Sequence, residues 1–271
     1  MIKDKNILIQ NGVDLNKSLE LFGDMTMYDE SLGDFMAEVE NKLYKIAHFK
    51  DAIDMPNYAI LVHSLKSDAK YFGFTKLAEL AYEHELKSKE KNIIFVNDNY
   101  NSLNDEANRI VEVVKRYLSS GSNIISPTIK KEDAPSKVFS IDNNKKTILA
   151  ADDSEIIINF IKKIFANEYN LLFASDGEEA INYINQNSNY KIVALLLDLN
   201  MPKVDGFKVL EFMKQNNLFD SIPVSIVTGN DSKEINLNSF EYPIVDILKK
   251  PFTPEAVKNI VERTINSKQR Y

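Results

Sequence analysis

The sequence predicts two folding units, an all-α bundle over residues 1–118 and an α/β unit over residues 146–271 built on a doubly wound, five-stranded parallel sheet. Three observations predict it. The first 118 residues carry long segments of helical apolar period and almost no strand alternation. Residues 119–145, SSGSNIISPTIKKEDAPSKVFSIDNNK, gather Ser, Gly, Asn, Pro127 and Pro135 with neither period, a stretch too long to lie as a loop inside one compact domain. Beyond them, five short aliphatic runs alternate with amphipathic segments, the pattern of buried parallel strands joined by crossover helices.

In the first unit the helical period holds at about 30–50, 55–73, 75–90 and 98–118. The unit has 15 Lys or Arg against 20 Asp or Glu, a net of −5, which suits solvated outer faces around a bundle core. The 119–145 segment reads as a flexible linker with an r.m.s. span of roughly 30 Å, enough for the flanking units to meet or separate. In the second unit the strands are expected at Thr147–Ala151, Asn170–Ala174, Ile192–Leu197, Val224–Val227 and Ile244–Leu248. Helices are expected near 154–167, 177–187, 206–216 and 254–267, with a weaker one around 232–240.

Composition excludes several classes. The net charge of −7 repels nucleic acid and anionic lipid as partners, and the absence of Cys removes disulfides, thiolate metal sites and cysteine nucleophiles. The longest uninterrupted aliphatic run, Ile192 to Leu197, falls far short of the roughly 20 residues a membrane span needs. The N-terminal stretch MIKDKNILIQNGVD lacks the pattern of a signal peptide. A soluble, cytoplasmic protein is expected.

Ligands of an open parallel sheet bind beyond the carboxyl ends of its strands. There this sequence places Asp152 and Asp153 after the first strand, Asp198 after the third, Thr228 after the fourth, and Lys249, Lys250 and Pro251 after the fifth. Three converging carboxylates stay ionised together only around a cation, and an all-oxygen donor set selects a hard ion, Mg2+. A lysine and a hydroxyl opposite would complete a cradle for a phosphoryl group. The plainer reading is that each Asp caps the helix that follows, as Asp153 or Ser154 would; it accounts for one position and not for all five.

The segments LLLDLNMPKVDGFKVL, ILAADDSE, IVTGN and LKKPF resemble the signature segments of a response-regulator receiver domain, of flavodoxin-like fold, over about residues 146–271. The resemblance implies that Asp198 is the phosphoacceptor. It implies that Asp153 and Asp198 ligate Mg2+ directly, Asp152 through water, and the backbone carbonyl of Asn200 as a further ligand. Thr228 would be the switch residue and Lys250 would pair with the phosphoryl group. One position departs from the family: Ile247 stands where receivers carry the aromatic partner of the switch residue. The face around Ile247, on the last strand, is also where receivers commonly dimerise.

Of three histidines, His63 stands apart. At about 100° per residue, Leu61, Leu65 and Phe72 lie opposite it, so its ring is expected to face water beside Ala59, Lys66, Ser67 and Lys70. An exposed imidazole is a competent nucleophile when neutral. The surrounding LVHSLKSDAKYFGFTKLAEL resembles the histidine phosphotransfer domain, a four-helix bundle, and VDLNKSLELFGDMTMYDESLGDFMAEV resembles its opening helices. That resemblance implies phosphorylation of His63 with Lys66 as its electrostatic support. Ser67 departs from the family's Gly, whereas Gly73 keeps a small residue where helices pack. His84 and His48 read as surface or partly buried residues, and no His pair has the i, i+4 spacing of a zinc site.

The expectation is a phosphorelay protein, not a turnover enzyme, exchanging a phosphoryl group between His63 and Asp198 with Mg2+. Its partners would be a sensor histidine kinase and other receiver or phosphotransfer proteins, with output through protein contacts since the sequence ends one helix after Lys250. The competing classes are a scaffold that takes no phosphate, and an aspartyl-phosphate phosphatase. The phosphatase needs a second acid two residues after the nucleophile, where this chain has Asn200.

Overall fold

In a computed structural model the chain is described over residues 3–121, 142, 144–229 and 242–267. Nearly all of the expected 119–145 linker and the weak helix expected at 232–240 lie outside those residues.

The first unit is helical throughout: α1 (Asn6–Ile9), α2 (Leu15–Phe22), α3 (Met25–Asp51), α4 (Met55–Tyr71), α5 (Thr75–Lys89) and α6 (Ile93–Ser119). Short polar side chains start four of them. Asp14, Asp24, Asp54 and Asn92 each accept hydrogen bonds from backbone N–H groups of the first turn. Gly73, between α4 and α5, has φ +72°, and a Cβ there would fall 2.4 Å from the carbonyl oxygen of Asp14, so only glycine fits. Phe22, Tyr28, Phe35, Phe72 and Phe74 fill the bundle with stacked and edge-on ring pairs; the Phe22 and Phe72 centroids are 5.2 Å apart.

The second unit runs β1 (Thr147–Ala151), α7 (Glu155–Phe165), β2 (Asn170–Ala174), α8 (Gly177–Asn185), α9 (Asn187–Tyr190), β3 (Ile192–Leu197), α10 (Gly206–Gln215), β4 (Val224–Thr228), β5 (Asp246–Lys249) and α11 (Pro254–Asn266). The strands form one parallel sheet in the order β2-β1-β3-β4-β5. The expected fold class is thus observed: a multidomain chain, a helical unit followed by a flavodoxin-like, doubly wound sheet. The fourth strand extends one residue further than expected, to Thr228, and the fifth lies at 246–249 instead of 244–248.

One apolar cluster runs without interruption from the bundle into the face of the sheet covered by α7 and α11. Phe160 of α7 joins the two units, with ring centroids 5.9 Å from Phe22, 6.2 Å from Tyr71 and 5.8 Å from Phe252.

Candidate functional site

The parallel sheet carries β1 and β3 side by side, with Ala151 opposite Leu197, so the residues that follow them emerge together at one edge. Asp152, Asp153 and Asp198 place carboxylate oxygens within 4.8 Å of one another. Lys250 joins them from the end of β5. Its Nζ is 2.6 Å from Oδ2 of Asp152 and 2.6 Å from Oδ2 of Asp198, and its backbone N–H donates to the Thr228 carbonyl at 2.8 Å. Thr228, Asp198 and Lys250 are all buried. The N-terminus of α10 packs tightly under this group, since a Cβ on Gly206 would lie 2.3 Å from the Asp198 carbonyl oxygen. Asn200 donates its backbone N–H to Oδ1 of Asp198 at 3.1 Å.

Burial and the neighbouring Asp152 and Asp198 charges push the Asp153 carboxyl up to about 8. Burial also raises Asp152, with Lys250 opposing it. Lys250 itself is held above the ordinary lysine value: burial works against its charge, but Asp152 and Asp198 outweigh that cost. Three hard oxygen donors this close, one of them driven toward protonation, are the chemistry a divalent cation relieves, so Asp152, Asp153 and Asp198 fit Mg2+.

His63 is not where the helical wheel puts it. Its ring is 4% exposed, and Ala59, Lys66 and Ser67 beside it are buried too; of the expected face only Lys70 is open to solvent. The wheel finds the core side of α4 correctly in Leu65 and Phe72, with Leu61 only half-buried, but it treats the opposite side as free. That side is covered by the α/β unit, and every residue from Val62 to Ala69 is buried. A Cβ on Gly229, the residue after Thr228, would lie 3.4 Å from His63 Nε2 and 3.5 Å from Ser67 Oγ.

Glu85 of α5 is the site residue that sequence reading missed. Its Oε1 is 2.7 Å from His63 Nδ1, and its Oε2 accepts from Lys66 Nζ at 2.5 Å. Lys89 Nζ donates to Oε1 at 2.8 Å, and Lys66 Nζ also sits 3.3 Å from His63 Nδ1. Burial favours the neutral acid, but His63, Lys66 and Lys89 together hold Glu85 well below the usual carboxylate range. An ionised Glu85 can only accept, so Nδ1 of His63 carries the hydrogen and the lone pair of the neutral ring is on Nε2. Burial, partly opposed by Glu85, lowers the His63 pKa and keeps that ring neutral. Nε2 is buried with no hydrogen-bond partner, as is Nδ2 of Asn200. Both residues line a cleft of about 270 Å3 together with Met55, Ala59, Ile60 and Lys89. The only signal of Glu85 in the sequence is its place in the polar triplet Glu83-His84-Glu85.

His84 is a second correction. It is 1% exposed, with Nδ1 2.7 Å from the Tyr58 hydroxyl and its ring near Phe95, so it belongs to the bundle core. His48 is exposed, as expected. Ile247, the departure from the aromatic switch position, is 38% exposed.

The model of the response regulator receiver domain family matches residues 148–262. Residues 148–262 are a response regulator receiver domain. A probable cyclic di-GMP phosphodiesterase of Vibrio cholerae is 32% identical over 128 residues, 47% of this chain and 28% of that protein. The response regulator GtcR of Aneurinibacillus migulanus is 33% identical over 117 residues, 42% of this chain and 46% of that protein. The chain therefore spans less than half the length of either relative. Among solved structures, the signal receiver domain of a putative LuxO repressor protein from Vibrio parahaemolyticus is 25% identical. It covers 46% of this chain and 93% of its own, at a TM-score of 0.41. Receiver domains are phosphoacceptor modules of two-component signalling and generally not enzymes, and it is residues 148–262 that match one. Among the described residues, no helix is long and apolar enough to cross a membrane.

Proposed function

We propose that the chain is a phosphorelay protein in which the helical unit acts as a histidine phosphotransfer domain and a phosphoryl group passes between His63 and Asp198. One observation carries this reading: the unpartnered Nε2 of His63 faces Gly229 and Asn200, at the strand ends where Asp198, Thr228 and Lys250 meet. In transfer toward the receiver, a carboxylate oxygen of Asp198 attacks the phosphorus on Nε2. The O–P bond forms as the N–P bond breaks, and the electron pair returns to Nε2. The Nδ1 hydrogen stays on the bond to Glu85, whose negative charge stabilises the cationic phospho-imidazole and is matched by Lys66.

Asp152, Asp153 and Asp198, with the Asn200 carbonyl, would hold Mg2+, which would neutralise phosphoryl oxygens. Lys250 is already on Asp198 and needs to move little to meet a phosphoryl oxygen, and Thr228 at the end of β4 supplies the hydroxyl. The proposed partners are a sensor histidine kinase and other receiver or phosphotransfer proteins. Exposed Ile247 is the centre of a proposed receiver-mediated contact between copies.

The test is incubation of the chain with phosphoramidate and Mg2+, followed by intact-mass measurement of wild type, His63→Gln, Asp198→Asn and the variant carrying both substitutions. The expected result is one phosphoryl mass on each single variant and none on the double variant. No gain at Asp198 would leave a scaffold, and steady release of phosphate from a phosphomonoester, abolished by Asp198→Asn, would indicate the phosphatase instead.

A further inference from the structure

Along α4, His63, Ser67, Asp68 and Tyr71 follow the i, i+4, i+5, i+8 spacing of one helical face. Between them they meet three loops at the same end of the sheet. His63 and Ser67 face Gly229 at the end of β4. Asp68 accepts from Ser154 Oγ, in the β1–α7 turn, at 3.2 Å, and is itself ion-paired to Lys42 of α3. The Tyr71 hydroxyl accepts from the Phe252 backbone N–H, after β5, at 3.1 Å, and the two rings meet edge-on at 5.8 Å. At the rim, Lys163 of α7 lies 3.4 Å from Glu30 and 3.5 Å from Asp34 of the acidic bundle. The buried Phe160 closes the apolar part.

Inter-domain contacts that part easily are small and polar. This one is an unbroken extension of the bundle core, with buried polar pairs that fix its register, and it sets His63 in one cleft with Asn200, two residues from the 1% exposed Asp198. We infer that the α4 face is built for the receiver of its own chain, so that His63 and Asp198 exchange the phosphoryl group in cis, and that this closed arrangement withholds Asp198 from the histidine of any other protein until the interface opens. The inference rests on the phosphotransfer reading and adds the identity of the partner to it. A tethered, docked pair gains a high effective concentration and a prepaid orientation, so an outside domain must compete with an intramolecular neighbour.

The absence of Cys permits a direct reporter of closure. In the full chain carrying Ser67→Cys and Gly229→Cys, the closed form is expected to give an intrachain disulfide under mild oxidation, seen as a mass loss of two hydrogens on a monomer. A disulfide only between chains, or none, overturns closure in cis. The functional arm charges Asp198→Asn at His63 with phosphoramidate, removes the donor, and mixes it with His63→Gln in Mg2+. Label should reach Asp198 at least about tenfold more slowly than it does within wild type, whose rate should not depend on protein concentration. Equal rates in the mixture and in wild type would overturn the cis inference while leaving phosphotransfer intact. Absence of label on Asp198 in both would overturn the phosphotransfer reading, and the cis exchange with it.

Discussion

His63 Nδ1 and Glu85 Oε1 are 2.7 Å apart, across two helices whose chain positions differ by 22 residues. The contact decides which ring nitrogen is free, because an ionised carboxylate anchors the N–H on its own side. Glu85→Gln keeps the shape and removes the charge. It is expected to lower the His63 pKa further and slow phosphorylation at His63 by about a hundredfold, the scale of losing a positioned acid–base partner. Nitrogen chemical shifts of His63 across pH, read alongside the phosphorylation rate, check both effects; an unchanged rate with a shifted pKa would show the contact to be structural.

Lys250 neutralises two buried carboxylates at once. Lys250→Ala leaves those charges facing each other and is expected to destabilise the metal-free protein by about 3–5 kcal/mol, the range for breaking a buried ion pair. Mg2+ should recover much of that loss, because it restores a cation at the same acids. Once phosphorylated, the variant should lose its phosphoryl group more slowly than wild type. Urea unfolding with and without Mg2+, and the decay of the acyl phosphate, measure these outcomes.

Asp153 links stability to pH. Its carboxyl is pushed up to about 8 from an ordinary value near 3.8, so the folded protein binds this proton more tightly than the unfolded chain. The stabilisation is complete below about pH 3.8 and is lost as pH rises through about 8. Metal-free protein should therefore melt several degrees lower at pH 8.5 than this group alone would allow at pH 6. Saturating Mg2+ should flatten that dependence, with proton release on binding. In Asp153→Asn the slope should shrink to the part that the raised Asp152 carboxyl contributes at lower pH.

Phe160 couples the two units through rings on both sides. Phe160→Ala is expected to weaken the structure by about 3–5 kcal/mol, most of it from the contact between units. Small-angle scattering should show a larger radius of gyration while far-ultraviolet circular dichroism keeps its helical content. An unchanged radius would place the aromatic contact outside the forces that hold the units together.

His84 separates structure from relay. Its buried pairing with Tyr58 predicts that His84→Gln lowers the melting temperature yet leaves phosphoryl exchange between His63 and Asp198 at wild-type rate. A lost exchange in a folded variant would give His84 a role the geometry does not show.

The strands, most helix positions and the convergence of Asp152, Asp153, Asp198, Thr228 and Lys250 at the strand ends are legible in the sequence. They follow from local apolar period and from the rule that a parallel sheet gathers its loops at one edge. His63 was legible as a candidate and misplaced in its surroundings. A helical wheel ranks the faces of one helix against its own core and is silent on whether a second unit lies across the other face. Tertiary structure alone brought Glu85 to His63 and laid α4 across the receiver's strand ends, because those contacts join residues far apart in the chain through packing that no local period encodes.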